Sequence, residues 1–217
     1  NFSNEAFPFM TFQFHEYEDT PIRILRASFT GEMGYEIYVP SNQALKIWEK
    51  IISFGKEFGL MPYGTETMHL LRAEKGYIIV GQDTDGSITP LDLGLDWMIG
   101  KSKKDFLGKR SLIRSDTVRK DRKQLVGILP TNKNEKLEEG QHIILDKEIK
   151  TPTPMLGHIT SCYQSPTLGH NFALAVIKNG QSLIGTKAFA STPELKTIEV
   201  EIVEPIFYDK ENTKLAS

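Results

Sequence analysis

Two charged residues, each set among apolar neighbours, have the types and settings for ligand chemistry. Glu36 closes the run Arg26-Ala27-Ser28-Phe29-Thr30-Gly31-Glu32-Met33-Gly34-Tyr35-Glu36-Ile37, and Arg72 sits in Leu71-Arg72-Ala73-Glu74-Lys75-Gly76. A carboxylate on a strand can accept two parallel hydrogens from a planar N–C–N edge, as it does from a guanidinium. An arginine on a helix offers the converse, a rigid fork of donors for a carboxylate or carbonyl. Together they suit a ligand with a donor edge at one end and an acidic or carbonyl group at the other. Each also has a plainer reading. Glu36 would then be a solvated residue on the open face of a hairpin. Arg72 would be a helix-surface charge paired with Glu66 or Glu74, contributing little to stability. Residue types and spacing leave both readings open.

The elements that must hold these residues follow from periodicity. Ile22 to Phe29 and Tyr35 to Val39 read as two strands, joined by the loop Thr30-Gly31-Glu32-Met33-Gly34. Side chains alternate across a strand, so Glu36 and Tyr38 share one face and Tyr35, Ile37 and Val39 the other. Pro40 stops the strand and Ser41 is a candidate N-cap. Ala44, Leu45, Trp48, Ile51, Ile52 and Phe58 then recur at helical spacing, which predicts a surface helix ending near Gly59. A second helix is predicted from Gly64-Thr65 through Arg72, with Gly76 just past its end. Tyr77 to Val80 reads as a short buried strand. Lys101 to Arg122 is strongly basic, with a short helix around Phe106 to Arg114, and reads as a connector.

Beyond Gln124 the texture changes to short Val-, Ile- and Leu-rich runs between turns. They are Leu125 to Leu129, His142 to Ile149, Met155 to Ser161, Phe172 to Ile177, Ser182 to Phe189 and Thr197 to Val203, with Asn179-Gly180 as a hairpin signal. Such regular spacing predicts a small sandwich or barrel. The expected fold class is therefore α+β, with three segments: 1–100, a basic connector at 101–123, and a β-rich 124–217.

Several chemistries are excluded. Gly94 to Ser102 has five residues between its glycines where a phosphate loop needs four, and bulky Leu95, Trp97 and Met98 fill them. Asp83-Thr84-Asp85-Gly86, aligned on its glycine, places Gly81 where a calcium loop needs its first aspartate. His158, Cys162 and His170 lack the paired spacing of a metal site. Neither a nucleophile elbow nor a dinucleotide fingerprint is present. Among 217 residues, a net charge of -2 gives no basic footprint for nucleic acid, and no apolar run approaches a membrane span. One cysteine excludes an internal disulfide and fits a reducing, cytoplasmic setting. The chain opens Asn1-Phe2-Ser3-Asn4 without an initiator Met, and Phe7, Phe9, Phe12 and Phe14 follow at once. Four early aromatics need something to pack against, so a piece of a longer polypeptide is expected.

The motif Arg26-x-Ser28-Phe29-Thr30-Gly31-Glu32-x-Gly34-Tyr35-Glu36-Ile37 resembles the signature of the aminomethyltransferase family, the T-proteins of glycine cleavage and their relatives. Leu71 to Gly76, Gly81 to Gly86, Asp105-Phe106-x-Gly108-Lys109-Arg110, Gly157-x-Ile159-Thr160-Ser161 and Pro205-x-Phe207-Tyr208-Asp209 follow in family order. Gly81 to Gly86 and Pro205 to Asp209 most resemble the alpha subunits of heterotetrameric sarcosine oxidases. The resemblance implies the second half of a folate-binding domain, with a mixed sheet and helices, followed by a small antiparallel β-barrel.

It also implies roles. Glu36 matches the glutamate that binds the pterin of tetrahydrofolate, and Arg72 an arginine that contacts the folate. Phe29 stands where T-proteins have a tyrosine, and Tyr208 matches a C-terminal aromatic near the ligand. The family's assisting aspartate lies in the first half of the folate domain, outside this chain, so no catalytic residue is assigned. FAD, FMN and NAD are expected only in parts of the enzyme absent here. The implied partners are the rest of the alpha subunit and the other sarcosine oxidase subunits. Readings as a T-protein, as a dimethylglycine-oxidising relative, or as a non-catalytic folate-binding module stay open.

Overall fold

A computed structural model describes residues 1–149 and 151–215. It divides into two compact units, one of Asn1–Arg72 with the C-terminal segment from Asp209, the other of Ala73–Tyr208.

The first unit is built on a three-stranded sheet in the order β1 (Phe12–Tyr17), β2 (Thr20–Leu25), β3 (Glu36–Tyr38). Sequence periodicity anticipated β2 and β3 but not β1, although Phe12-Gln13-Phe14 already alternates. The β1–β2 turn is two residues, Glu18 and Asp19, at φ 46° and 60°. Both residues take the left-handed backbone region that lets a two-residue turn match the right-handed twist of its strands, here without glycine. All pairings in this sheet are antiparallel, not mixed. The β2–β3 hairpin is real, but β2 ends at Leu25 rather than Phe29, and residues 26–35 form the connection. At Arg26 the backbone still bonds to the segment before β1, its N–H donating to the Thr11 carbonyl and its carbonyl accepting from Met10, and its buried guanidinium donates to the Phe7 carbonyl at 2.7 Å and to Asn4. Gly34 is needed where the connection folds back, since a Cβ there would stand 2.9 Å from the Ala27 carbonyl oxygen.

A 3-10 turn at Ser41–Gln43 leads into α1 (Ala44–Gly55), and Gly59 at φ 72° ends the following turn. Ser41 opens the 3-10 turn and makes no side-chain cap. Ile47, Ile51 and Phe54 of α1 line a slot of about 320 Å³ with Ile22, Ile24 and Ile37 of the sheet. Leu45 and Trp48 form a second apolar stripe that stays exposed. Lys46 and Lys50 reach Glu18 in the β1–β2 turn, at 2.9 and 3.7 Å. The second helix, α2, spans Thr65–Glu74.

The second unit contains a closed antiparallel barrel of six strands in the order β4-β7-β6-β5-β8-β9. These are β4 (Lys123–Pro130), β5 (His142–Ile144), β6 (Met155–Ser165), β7 (His170–Lys178), β8 (Lys187–Ser191) and β9 (Thr197–Val203). Its interior holds Val126, Ile128, Ile143, Ile159, Ala175 and Ile177. The other face of β7, through Phe172, Leu174 and Val176, packs under Ala73, Leu93 and Phe207. Burial on both faces explains the unbroken apolar run Phe172 to Ile177.

Several local expectations fail, among them β5, which ends at Ile144 rather than Ile149, and β8, which starts at Lys187 rather than Ser182. Residues 77–80 form no strand, because Asp83 draws the Ile79 N–H into a turn at 2.8 Å. The expected helix around 106–114 is a 3-10 segment at Lys109–Ile113. Asn179-Gly180 is not a hairpin turn. Asn179, at φ 56°, starts a 3-10 turn, β7 pairs with β4 and β6, and β8 pairs with β5 and β9.

Candidate functional site

Glu36 lies on β3, in register with Leu25 of β2, which pairs with Phe12 of β1. The next row on that face is Tyr38, Arg23 and Phe14. Strand alternation puts all six side chains opposite Ile24 and Ile37, the residues turned to α1. This face is open: Phe14 is 75% and Tyr38 41% exposed, and Glu36 and Arg23 are exposed too. Its parts are nonetheless ordered among themselves. The Tyr38 hydroxyl donates to Glu36 Oε2. The Arg23 guanidinium carbon lies 4.7 Å from the centroid of the Tyr38 ring. Phe12 and Phe14 meet edge to face at 5.5 Å. The hydrogen bond to Glu36, with loss of solvation, pushes the Tyr38 phenol above its usual pKa, so it is a donor at neutral pH. Glu36 thus has the exposure that both the solvated and the ligand-binding readings require.

Arg72 is fully buried on α2, which removes the exposed ion-pair reading. The neighbouring Ala73, Glu74 and Lys75 are buried as well. A guanidinium out of water is held only where its donors are engaged, and its planar fork is then fixed in direction. Phe29 is half-buried in the 26–35 connection. Tyr208 is half-buried, and its backbone N–H and that of Phe207 both donate to the Glu74 carbonyl, at 3.0 and 2.9 Å. The Phe207 and Phe172 rings meet at a tilt of 56° with centroids 4.6 Å apart. Gly76, at φ 70°, admits this strand end: a Cβ there would lie 2.5 Å from the Pro205 carbonyl oxygen.

The Gly81 to Gly86 segment is a structural knot. Asp83 is buried and accepts from Thr160 Oγ1 and Ser161 Oγ, both at 2.6 Å, besides the Ile79 N–H. Gln82 donates to Ser161 Oγ at 3.1 Å. The basic connector is pinned likewise. Arg122 donates to buried Asp92 at 2.7 Å and reaches Asp116 at 3.0 Å. Asp92 also accepts from the Thr89 N–H and Oγ1, at 2.8 and 2.9 Å. Burial works against the Asp92 carboxylate, but Arg122 and Thr89 outweigh it and hold its pKa below the usual range. Between these ties lies a largely apolar cleft of about 640 Å³, lined by Ile78, Thr89, Leu93, Met98 and Phe106 among others, and by none of Phe29, Glu36, Arg72 or Tyr208.

The residues that sequence reasoning passed over are Tyr38 and Arg23 as neighbours of Glu36, and Asp83, Asp92 and Arg122 as ties. Strand alternation signalled the first, since Glu36 and Tyr38 stand two apart. Nothing local signals the ties, whose partners are 30 and 77 or more residues away in sequence.

Comparison with known proteins defines the class. Residues 1–103 match the family description "GCVT N-terminal domain" and residues 123–209 the "Glycine cleavage T-protein C-terminal barrel domain". The chain belongs to the glycine cleavage T-protein family. The crystal structure of glycine cleavage system aminomethyltransferase T from Bartonella henselae has the same fold, with a TM-score of 0.76 and 23% identity over 93% of this chain and 53% of that one.

Within the family, the chain is similar to sarcosine oxidase subunit alpha. It is 47% identical to that of Corynebacterium sp. strain P-1 over 98% of this chain and 22% of the relative. With the subunit of Rhizobium meliloti it shares 35% identity over 88% of this chain and 20% of the relative. An aminomethyltransferase from Thermoanaerobacter pseudethanolicus is 33% identical over 88% of this chain and 50% of the relative. The chain therefore spans about a fifth of the sarcosine oxidase relatives.

Proposed function

We propose that this chain is the folate-binding region of a sarcosine oxidase alpha subunit. It would hold tetrahydrofolate to accept the one-carbon unit of oxidised sarcosine, giving 5,10-methylenetetrahydrofolate and glycine. The observation that carries this reading is Glu36: an exposed carboxylate on a rigid strand, fixed by Tyr38, in a chain 47% identical to a sarcosine oxidase alpha subunit.

A pterin presents a ring N–H and an exocyclic amine side by side, and one carboxylate accepts both. Arg72, fully buried, would act on the folate through the groups it holds in place, while Phe29 and Tyr208 would supply aromatic surface. Residues 1–100 serve as the second half of the folate domain, 101–123 as connector and 124–217 as barrel and tail. Flavin and dinucleotide chemistry belongs to the rest of the alpha subunit and to the other subunits. The work done here is positioning: an anchored pterin keeps its amine nitrogens facing an incoming imine, which lowers the entropy cost of the encounter.

A second reading, a T-protein of glycine cleavage, is supported by the aminomethyltransferase relatives and keeps the same Glu36 chemistry. Calorimetric titration with tetrahydrofolate tests the site common to both. Glu36→Ala should weaken binding by about 1.5–3 kcal/mol, the worth of a charged hydrogen bond. Unchanged affinity would remove Glu36 from the site.

A further inference from the structure

Glu36 is attended by two residues to which no role is assigned, Tyr38 and Arg23. We propose that Tyr38 is the positioning residue for the Glu36 carboxylate, braced in turn by Arg23. This rests on the folate reading of Glu36 and deepens it.

The geometry has three parts. Tyr38 is two residues beyond Glu36 on the same face of β3, and its hydroxyl donates to Oε2. A glutamate side chain on an exposed strand otherwise samples many rotamers, and each must be given up when a ligand is clamped. The Tyr38 bond selects one carboxylate orientation before the ligand arrives. It takes one acceptor site of about four that a carboxylate offers, so a two-donor edge still fits. Arg23 is the cross-strand partner of Tyr38, with its guanidinium 4.7 Å from the ring centroid. A cation over the ring face holds the phenol in place.

The arrangement is local to one hairpin. All three side chains come from β2 and β3, in a register fixed by the pairs Arg23↔Tyr38 and Leu25↔Glu36. The Tyr38 ring is 41% exposed, so removing its hydroxyl leaves no buried group without a partner.

The test is a double-mutant cycle in tetrahydrofolate affinity, measured by calorimetry on this chain. Tyr38→Phe should weaken binding about 5-fold, within the range for one hydrogen bond, with the thermal midpoint unchanged. In a Glu36→Gln background the same change should alter affinity less than about 2-fold, because the group it orients is already altered. Arg23→Lys should retain more affinity than Arg23→Ala. An equal loss in both backgrounds would overturn the positioning role, and so would full affinity in Tyr38→Phe while Glu36→Gln binds weakly. Full affinity in Glu36→Gln would instead overturn the folate reading of Glu36, and this inference with it.

Discussion

Asp83 offers the sharpest test of how the second unit is held together. Its carboxylate is 1% exposed and accepts from Thr160 Oγ1 and Ser161 Oγ at 2.6 Å and from the Ile79 N–H at 2.8 Å. Asp83→Ala removes the acceptor and leaves three donors around a small void. Thr160 keeps a partner, the Leu174 carbonyl at 3.3 Å, so two donors bear the cost. A hydrogen bond to a charged group contributes about 1.5–3 kcal/mol, which places the loss near 3–4 kcal/mol after relaxation. For a chain of this size that corresponds to a fall of about 10 °C in the unfolding midpoint of this unit. Thermal unfolding by circular dichroism measures it, and amide exchange locates it. The Ile79 amide and the Thr160–Ser161 stretch of β6 should lose protection together. A midpoint within about 2 °C of the parent, well inside what one lost hydrogen bond would cause, would refute the reasoning.

Two further outcomes follow from the same structure. Asp92 has its pKa held down in the folded state, so its contribution is present above the ordinary carboxylate range and is lost as acid titrates it, below a pH of about 4. Asp92→Asn should remove that acid-side loss and should lower stability by about 2 kcal/mol at neutral pH, because the largely buried Arg122 then keeps only the exposed Asp116 as its anion. Urea melts at pH 7 and pH 3 show both effects. The Cys162 thiol, pushed up to about 11 by burial and the nearby Glu139 charge, should react with a maleimide at pH 8 far more slowly in the folded chain than after unfolding. Rapid labelling of the folded chain, followed by mass spectrometry, would contradict that environment.

How much of this was legible in the sequence depended on the range of the interaction. The barrel could be read because each strand carries its own pattern and turn. Even so, β6 and β7 run longer than their apolar cores suggest, since polar Gln164, Asn171 and His170 still pair across the ladder. Helix α1 was legible for the same reason. What escaped were features decided at a distance. The strand expected at 77–80 lost to Asp83, and the buried Arg26 is tied to Phe7, nineteen residues earlier, rather than to its neighbours. A surface-charge reading of Arg72 stayed open beside the ligand-binding one, because no local pattern reports that a helix end is buried.

The candidate site divides along the same line. Glu36 stood out by its motif and its strand, and Tyr38 was already on the same face. That Tyr38 donates to Glu36, with Arg23 over its ring, depends on the β2–β3 register. Alternation alone could not fix that register, since the connection proved to be residues 26–35 rather than the five-residue loop expected.

The central claim is that the Glu36 carboxylate reads the donor edge of a pterin. It is tested most directly by comparing tetrahydrofolate with an analogue lacking the exocyclic 2-amino group, against the parent chain and Glu36→Gln. A site built around a hydrogen bond rejects the ligand that lacks it. The parent chain should therefore bind tetrahydrofolate at least about 10-fold more tightly than the analogue, from one charged hydrogen bond, and Glu36→Gln should lose that preference. Equal affinity of the parent chain for the two ligands, or an undiminished preference in Glu36→Gln, would contradict the account.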